Sequence, residues 1–178
     1  VLFAAREVLP DETIVLSDVG SHKMALGSLW STRRPRTFLL SNGLGTMGFS
    51  LPGAIAAKLL RPDAPVACFM GDGGFAMVGS ELGTAVDLRL PVIVVVFNDQ
   101  RLDRIVRKQV QLGYRRLGTT FGNPNFVKLA EAYGAAGFRA STANELQRQL
   151  AEALRLTDRP ALIEALIDPE EYQIQFEG

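Results

Sequence analysis

Val66-Ala67-Cys68-Phe69-Met70-Gly71-Asp72-Gly73-Gly74 and, further on, Val92-Ile93-Val94-Val95-Val96-Phe97-Asn98-Asp99 are the stretches that decide the fold. Each is a short apolar run that ends in an acidic residue beside a turn, and a helix-length segment separates them. Neither run alternates with polar residues, which is the pattern of parallel strands buried on both faces. In such sheets the carboxyl ends of the strands present the ligand-binding residues. The 27 positions from Asp72 to Asp99 fit a turn, a helix and a returning strand, so both carboxylates are expected at one edge of the sheet.

Outward from this centre, strand and helix patterns alternate. Leu2–Leu9 reads as a short helix stopped by Pro10, and Thr13–Ser17 as a strand. Asp18-Val19-Gly20-Ser21-His22 is a strand-to-helix turn before a helix over Met24–Trp30. Arg33–Arg36 is a surface turn, Thr37–Leu40 a brief strand, and Ser41–Gly48 a glycine-rich segment whose backbone can approach a neighbour closely. Leu51, Ala54, Ile55 and Leu59 mark one helix face, with Pro52 tolerated in the first turn. Beyond Gly74, one helix is expected to bury Val78, Leu82, Ala85 and Val86. A basic stretch covers Arg101–Arg116. Two helical patterns follow, on Phe126, Leu129, Ala130 and Tyr133 and then on Leu146, Leu150, Ala153 and Leu154, before a last strand over Ala161–Ala165. The tail after Pro169 is acidic and expected to be loosely held. Together these predict a three-layer α/β domain over residues 1–178 with a doubly wound parallel sheet.

Composition narrows the function. With 178 residues and 47% apolar content the chain can bury one core without disulfides or metal staples. Nineteen basic residues balance nineteen acidic ones, leaving no global field for nucleic acid or an anionic membrane, so any anion recognition must be local. The single cysteine, Cys68, falls inside a strand and reads as an inert buried thiol. No apolar run has the length of a membrane span and no signal-peptide pattern opens the chain, which predicts a soluble cytoplasmic protein. Val1 in place of an initiating methionine predicts a piece of something longer.

The paired carboxylates carry the chemistry. Asp72 and Asp99, with a backbone carbonyl just past Asp99, suit a hard octahedral cation such as Mg²⁺ that takes further ligands from water and a bound phosphate. Gly73 and Gly74 open a helix whose N–H groups can face that phosphate. By itself Gly-Asp-Gly-Gly is equally a common turn. Gly43, Gly45 and Gly48 have the intervals of a dinucleotide fingerprint, but Asp63, beside Pro62 in a turn, is not a convincing ribose partner. Met47 would ordinarily be a core plug, His22 a cap or solvated side chain, Glu81 structural and Trp30 packing. Arg104, Arg107, Lys108, Arg115 and Arg116 read as a solvated charged loop, or as a basic cover over an anionic substrate.

The combination Gly71-Asp72-Gly73, then Asn98-Asp99, resembles the diphosphate motif of thiamine diphosphate enzymes. Ser17–His22, Ser41–Gly48 and Tyr114–Leu117 are similar to the acetolactate synthase group, and the resemblance covers nearly the whole chain. It implies the thiamine diphosphate-binding fold, with Mg²⁺ held by the side chains of Asp72 and Asp99 and the backbone carbonyl of Arg101. It places Gly71, Gly73, Gly74 and Leu102 about the cofactor, and Gly20, Ser21 and His22 as a second diphosphate clamp. Met47 would wedge between the two cofactor rings and the Gly45 carbonyl would accept from the aminopyrimidine. Many relatives have asparagine where this chain has Asp99; the added charge is left for His22 and the helix N-termini to offset. Biosynthetic relatives carry tryptophan where Lys108 stands, and the Arg101–Arg116 stretch looks more like the catabolic enzymes.

What the resemblance implies further is a C-terminal domain, inactive by itself, of an enzyme forming 2-acetolactate from pyruvate. The catalytic glutamate belongs to a pyrimidine-binding domain of the same or a neighbouring subunit. FAD would belong to a missing middle domain, and the full-length protein would be a homodimer or homotetramer. Alternatives are another thiamine diphosphate-dependent decarboxylase, oxidase or acyltransferase, a non-catalytic module of the same fold, and an NAD-binding domain.

Overall fold

The structure is a computed structural model that describes residues 1–122, 124–170 and Tyr172. Its apolar runs pair into a six-stranded, all-parallel sheet in the order β2-β1-β3-β4-β6-β5. The strands are β1 (Ile14–Ser17), β2 (Phe38–Leu40), β3 (Val66–Gly71), β4 (Val92–Asn98), β5 (Ala136–Ala140) and β6 (Ala161–Leu166). β3 and β4 are central neighbours, in register from Val66 opposite Val92 to Gly71 opposite Phe97. Their unbroken apolar sequence is explained by burial on both faces.

Alternate residues of each strand feed two cores. Val15, Ala67, Phe69, Ile93, Val95 and Ile163 pack under α1 (Leu2–Val8), α2 (Ser21–Leu29) and α8 (Ala143–Ala153). Leu16, Val66, Cys68, Met70, Val94 and Leu162 pack under α3 (Ser50–Leu60), α4 (Asp72–Val78), α5 (Glu81–Asp87) and α7 (Phe126–Tyr133). This is the three-layer, doubly wound arrangement expected from the sequence. Chain order reverses between β1 and β3, where a crevice opens at the carboxyl ends of the strands.

Several elements differ from the sequence expectation for physical reasons. The α3 stripe runs Leu51, Ala54, Ile55 and then Lys58, not Leu59, which is exposed. Lys58 lays its stem along the stripe and its Nζ donates to the Ala64 carbonyl at 2.9 Å. The single helix expected after Gly74 is two, broken at Gly79-Ser80, where Gly79 lies hard against Phe75. The basic stretch folds as α6 (Asp103–Gln111), and α2 begins at Ser21 rather than Met24.

β5 was not expected at all: Ala136-Gly137-Phe138-Arg139-Ala140 is poor in strand-favouring residues. Pairing with β6 holds it, and Gly137 lets the backbone of α7 come close. A Cβ on Gly137 would stand 2.7 Å from the Val127 carbonyl oxygen and 3.2 Å from its Cα. Backbone cannot yield as a side-chain tip can, so Gly137→Ala is expected to destabilise the full-length protein by about 1–3 kcal/mol. Denaturant unfolding checks this, and an unchanged midpoint would contradict it.

Candidate functional site

Asp72 caps the end of β3 and Asp99 follows β4, so strand pairing alone makes them neighbours. The turn between Asp99 and Arg101 is fixed by Asp72 itself. Its Oδ2 accepts from the Gln100 N–H at 2.7 Å and its Oδ1 from the Gly73 N–H at 2.6 Å. Gln100 is held at φ 61°, a conformation that costs a non-glycine residue energy. Asp99 Oδ1 accepts from the Arg101 N–H at 3.2 Å. Burial pushes the Asp72 carboxyl up to about 6, and burial together with the Asp72 charge pushes Asp99 up to about 7.

These shifts carry a sign. Both carboxyls stand above their ordinary 3.8 in the fold, so their stabilising contribution is complete below about 3.8 and is lost as pH rises through about 6 and 7. In the cation-free full-length protein, Asp99→Asn is therefore expected to be more stable than the native chain at pH 8 but not at pH 4. Denaturant unfolding at the two pH values checks it, and a pH-independent difference would contradict it.

Across the crevice, the N-terminal turn of α2 brings Gly20, Ser21 and His22 to the same place. Its cap residue, Gly20, supplies no side-chain oxygen, which leaves first-turn N–H groups available to a ligand. His22 stacks on Phe97 with ring centroids 5.4 Å apart, and its Nε2 is buried with no hydrogen-bond partner among the described residues. Burial lowers its pKa to about 4, so the ring is neutral at pH 7. A neutral ring can still donate one hydrogen bond to an anion in the crevice, beside the α2 N-terminus.

A cavity of about 120 Å³ joins these parts. Eleven of the twelve residues singled out from the sequence line it; Gly45, at φ 67°, does not. The glycines are needed for closeness. A Cβ on Gly74 would lie 2.3 Å from Asp18 Oδ2, and one on Gly73 would lie 2.7 Å from Leu102 Cδ2 and 3.6 Å from Met47 Cε.

Three contributors escaped the sequence analysis. Asp18, fully buried, accepts from the Gly48 N–H at 3.0 Å and the Ser50 N–H at 3.2 Å, tying the Met47 segment to the end of β1. Asp103 accepts from Ser21 Oγ at 2.6 Å, from Arg101 Nη2 at 2.6 Å and from Arg107 Nε at 2.7 Å, which fastens α6 to α2. Its signal was a lone acid in a basic run. Tyr172 lines the cavity and is buried, and Arg107 donates to the Pro169 carbonyl at 2.6 Å, so this part of the tail is not loosely held. Residues 171 and 173–178 lie outside the described residues.

Fold and site define a class: a doubly wound domain with an anion-receptive crevice at its switch point, two carboxylates on one wall and a helix N-terminus on the other. Residues 18–165 match the family model described as "Thiamine pyrophosphate enzyme, C-terminal TPP binding domain". The chain belongs to that family, and its cofactor is thiamine diphosphate. It is 42% identical to the "Probable acetolactate synthase large subunit" of Methanococcus aeolicus, over 88% of this chain and 26% of that protein. To the "Acetolactate synthase" of Bacillus subtilis it is 34% identical, over 92% of this chain and 28% of that protein. The chain thus spans about a quarter of the length of these curated relatives. The crystal structure of benzoylformate decarboxylase from Polynucleobacter necessarius superposes with a TM-score of 0.86 at 24% identity, over 94% of this chain and 32% of that one, and it shows the fold alone. Among the described residues no helix is long and apolar enough to cross a membrane.

The residues fit the cofactor on this structure's own terms. An orphaned buried nitrogen on His22, uncapped N–H groups on α2 and glycines crowded where backbone must approach are what a diphosphate requires.

Proposed function

We propose that the chain is the cofactor-binding domain of an acetolactate synthase-like enzyme that decarboxylates pyruvate and joins the acyl unit to a second 2-keto acid. The observation that supports this most is the pair Asp72 and Asp99, held side by side at the ends of adjoining strands. Thiamine diphosphate supplies the electron sink for decarboxylation; the protein supplies placement and field. Asp72 and Asp99 would hold Mg²⁺ through their side chains and Arg101 through its carbonyl. Among the described residues no group of three or more His, Cys, Asp or Glu side chains is placed to hold a metal ion. The cation would therefore draw its other oxygens from the diphosphate and water.

Gly20, Ser21 and His22 bind the diphosphate from the α2 side, with Gly71, Gly73, Gly74 and Leu102 opposite. Met47, anchored through Gly48 to Asp18, orients the rings, and the Gly45 carbonyl holds the aminopyrimidine. No side chain of this chain is assigned the proton transfer; a glutamate of the pyrimidine-binding domain, from the same or a neighbouring subunit, takes it. The full-length enzyme is a cytoplasmic homodimer or homotetramer; FAD, where the enzyme uses it, belongs to a further domain. Pyruvate consumption by the full-length protein, with and without thiamine diphosphate and Mg²⁺, is the test. Cofactor-dependent formation of 2-acetolactate is expected. Absence of any cofactor-dependent consumption of pyruvate would remove the substrate while leaving the cofactor in place.

A further inference from the structure

Glu164 interrupts the apolar sequence of β6, Ala161-Leu162-Ile163-Glu164-Ala165-Leu166, and is 1% exposed. It does not line the cofactor cavity. A buried carboxylate is unfavourable unless it is paired and hydrogen-bonded, and an apolar side chain of similar volume often serves stability as well or better. Stability alone therefore gives no reason for an acid here; its contacts give one. Oε2 is taken by Arg139, directly opposite on β5, which donates from Nε at 2.8 Å and holds Nη2 2.8 Å from the same oxygen. That leaves Oε1 turned toward β4, where it accepts from Asn98 Nδ2 at 2.6 Å.

Asn98 is the last residue of β4 and precedes Asp99. Its carbonyl accepts from the Ile167 N–H at 3.1 Å, so its side chain and its backbone are both tied to β6 and the residue that follows it. On the other flank, Asp72 at the end of β3 accepts from the Gln100 N–H at 2.7 Å. Asp99 stands between these anchors, one residue from each. We infer that Glu164 and Arg139 are positioning residues for the cation site, holding Asn98 and through it the turn that aims the Asp99 carboxylate at a divalent ion. Orienting groups outside the ligand set govern metal affinity because they fix where the ligands point. Here the effect travels one residue along the backbone from Asn98. The inference rests on the cation site proposed above and names what holds it from the β6 side.

The test uses the full-length protein with saturating thiamine diphosphate and Mn²⁺ as the probe, its affinity read from the electron paramagnetic signal of the free ion. Glu164→Met removes both acceptors at similar volume and is expected to weaken Mn²⁺ binding about tenfold. Glu164→Gln, whose amide can pair with that of Asn98, should stay within about threefold of the native protein. Combined with Asn98→Ala, Glu164→Met should add nothing to the loss that Asn98→Ala causes alone, because both break one link. A residue that served only the fold would lower the unfolding midpoint and leave the Mn²⁺ affinity of the folded protein as it was. Affinity within about twofold of native in Glu164→Met therefore overturns the inference, and so do losses that add in the double variant. Arg139, with a side chain 47% exposed, covers a variant that fails to fold: Arg139→Gln should cost about threefold, and no loss there overturns the inference equally. Absence of Mn²⁺ binding by the native protein instead removes the cation site, and the inference falls with it.

Discussion

Replacing Asp72 by asparagine in the full-length protein is expected to weaken Mg²⁺-supported thiamine diphosphate binding by on the order of a hundredfold or more, the largest loss of any single substitution in the chain. Two effects act together. The cation loses a charged ligand, and the loop that carries its other ligand loses an anchor. Asp72 presents one oxygen to the Gly73 N–H and the other to the Gln100 N–H. An amide has one oxygen, so one of these donors would face an NH₂ group. Leaving a buried N–H unpaired costs about 1–3 kcal/mol, and Gln100, already at φ 61°, has little reason to hold its conformation without that bond. Asp99→Asn is the control, because its single bond, from the Arg101 N–H, survives in the amide oxygen. That variant should retain most of the cofactor affinity. Titration calorimetry on both variants decides the matter, and equal losses would contradict a role for the Gln100 anchor.

Asp18→Ala is expected to have the second-largest effect, although Asp18 touches neither the cation nor the diphosphate in the proposed arrangement. Its removal leaves the Gly48 and Ser50 N–H groups buried without an acceptor, at about 1–3 kcal/mol each. Gly48 is held at φ 84° next to Met47, so the segment that orients the cofactor rings would loosen while β3 and β4 stay as they are. Asp18→Asn keeps one acceptor and should recover about half of the loss. Hydrogen exchange on the full-length protein gives a local readout: amides 43–50 should exchange faster and those of β4 should not. Uniform acceleration across the domain would mean that Asp18 supports the fold at large.

The parts of this account that were legible in the sequence are those written in unbroken hydrophobicity. β3 and β4 announce themselves because a strand buried on both faces admits no polar residue over its length, and the acidic residues at their ends then inherit their meeting from the pairing. β5 had no such signature, because the burden of holding it falls on β6 and on a missing side chain at Gly137. α6 was hidden by its charges. It buries only Asp103 and Val106; Arg101 and Arg107 of the same segment and Ser21 of α2 donate to Asp103, and the contact with Ser21 is the part no local pattern encodes. Asp18 stands in a recognisable strand-to-helix turn, but it acts 30 residues away, at Gly48. His22 lies in the crevice as its place in the turn suggests, but its burial, which lowers its pKa, is a property of the fold and not of the residue.

The central claim is that a divalent ion held by Asp72 and Asp99 tethers the diphosphate of the cofactor. Substituting Mn²⁺ for Mg²⁺ and recording the phosphorus resonances of bound thiamine diphosphate tests it most directly, since broadening by a paramagnetic ion falls off with the sixth power of distance and is most severe for directly coordinated phosphate. Strong broadening of both resonances in the native protein, lost in Asp72→Asn, is the predicted result. Tight cofactor binding with sharp phosphorus lines in the presence of bound Mn²⁺ would contradict it.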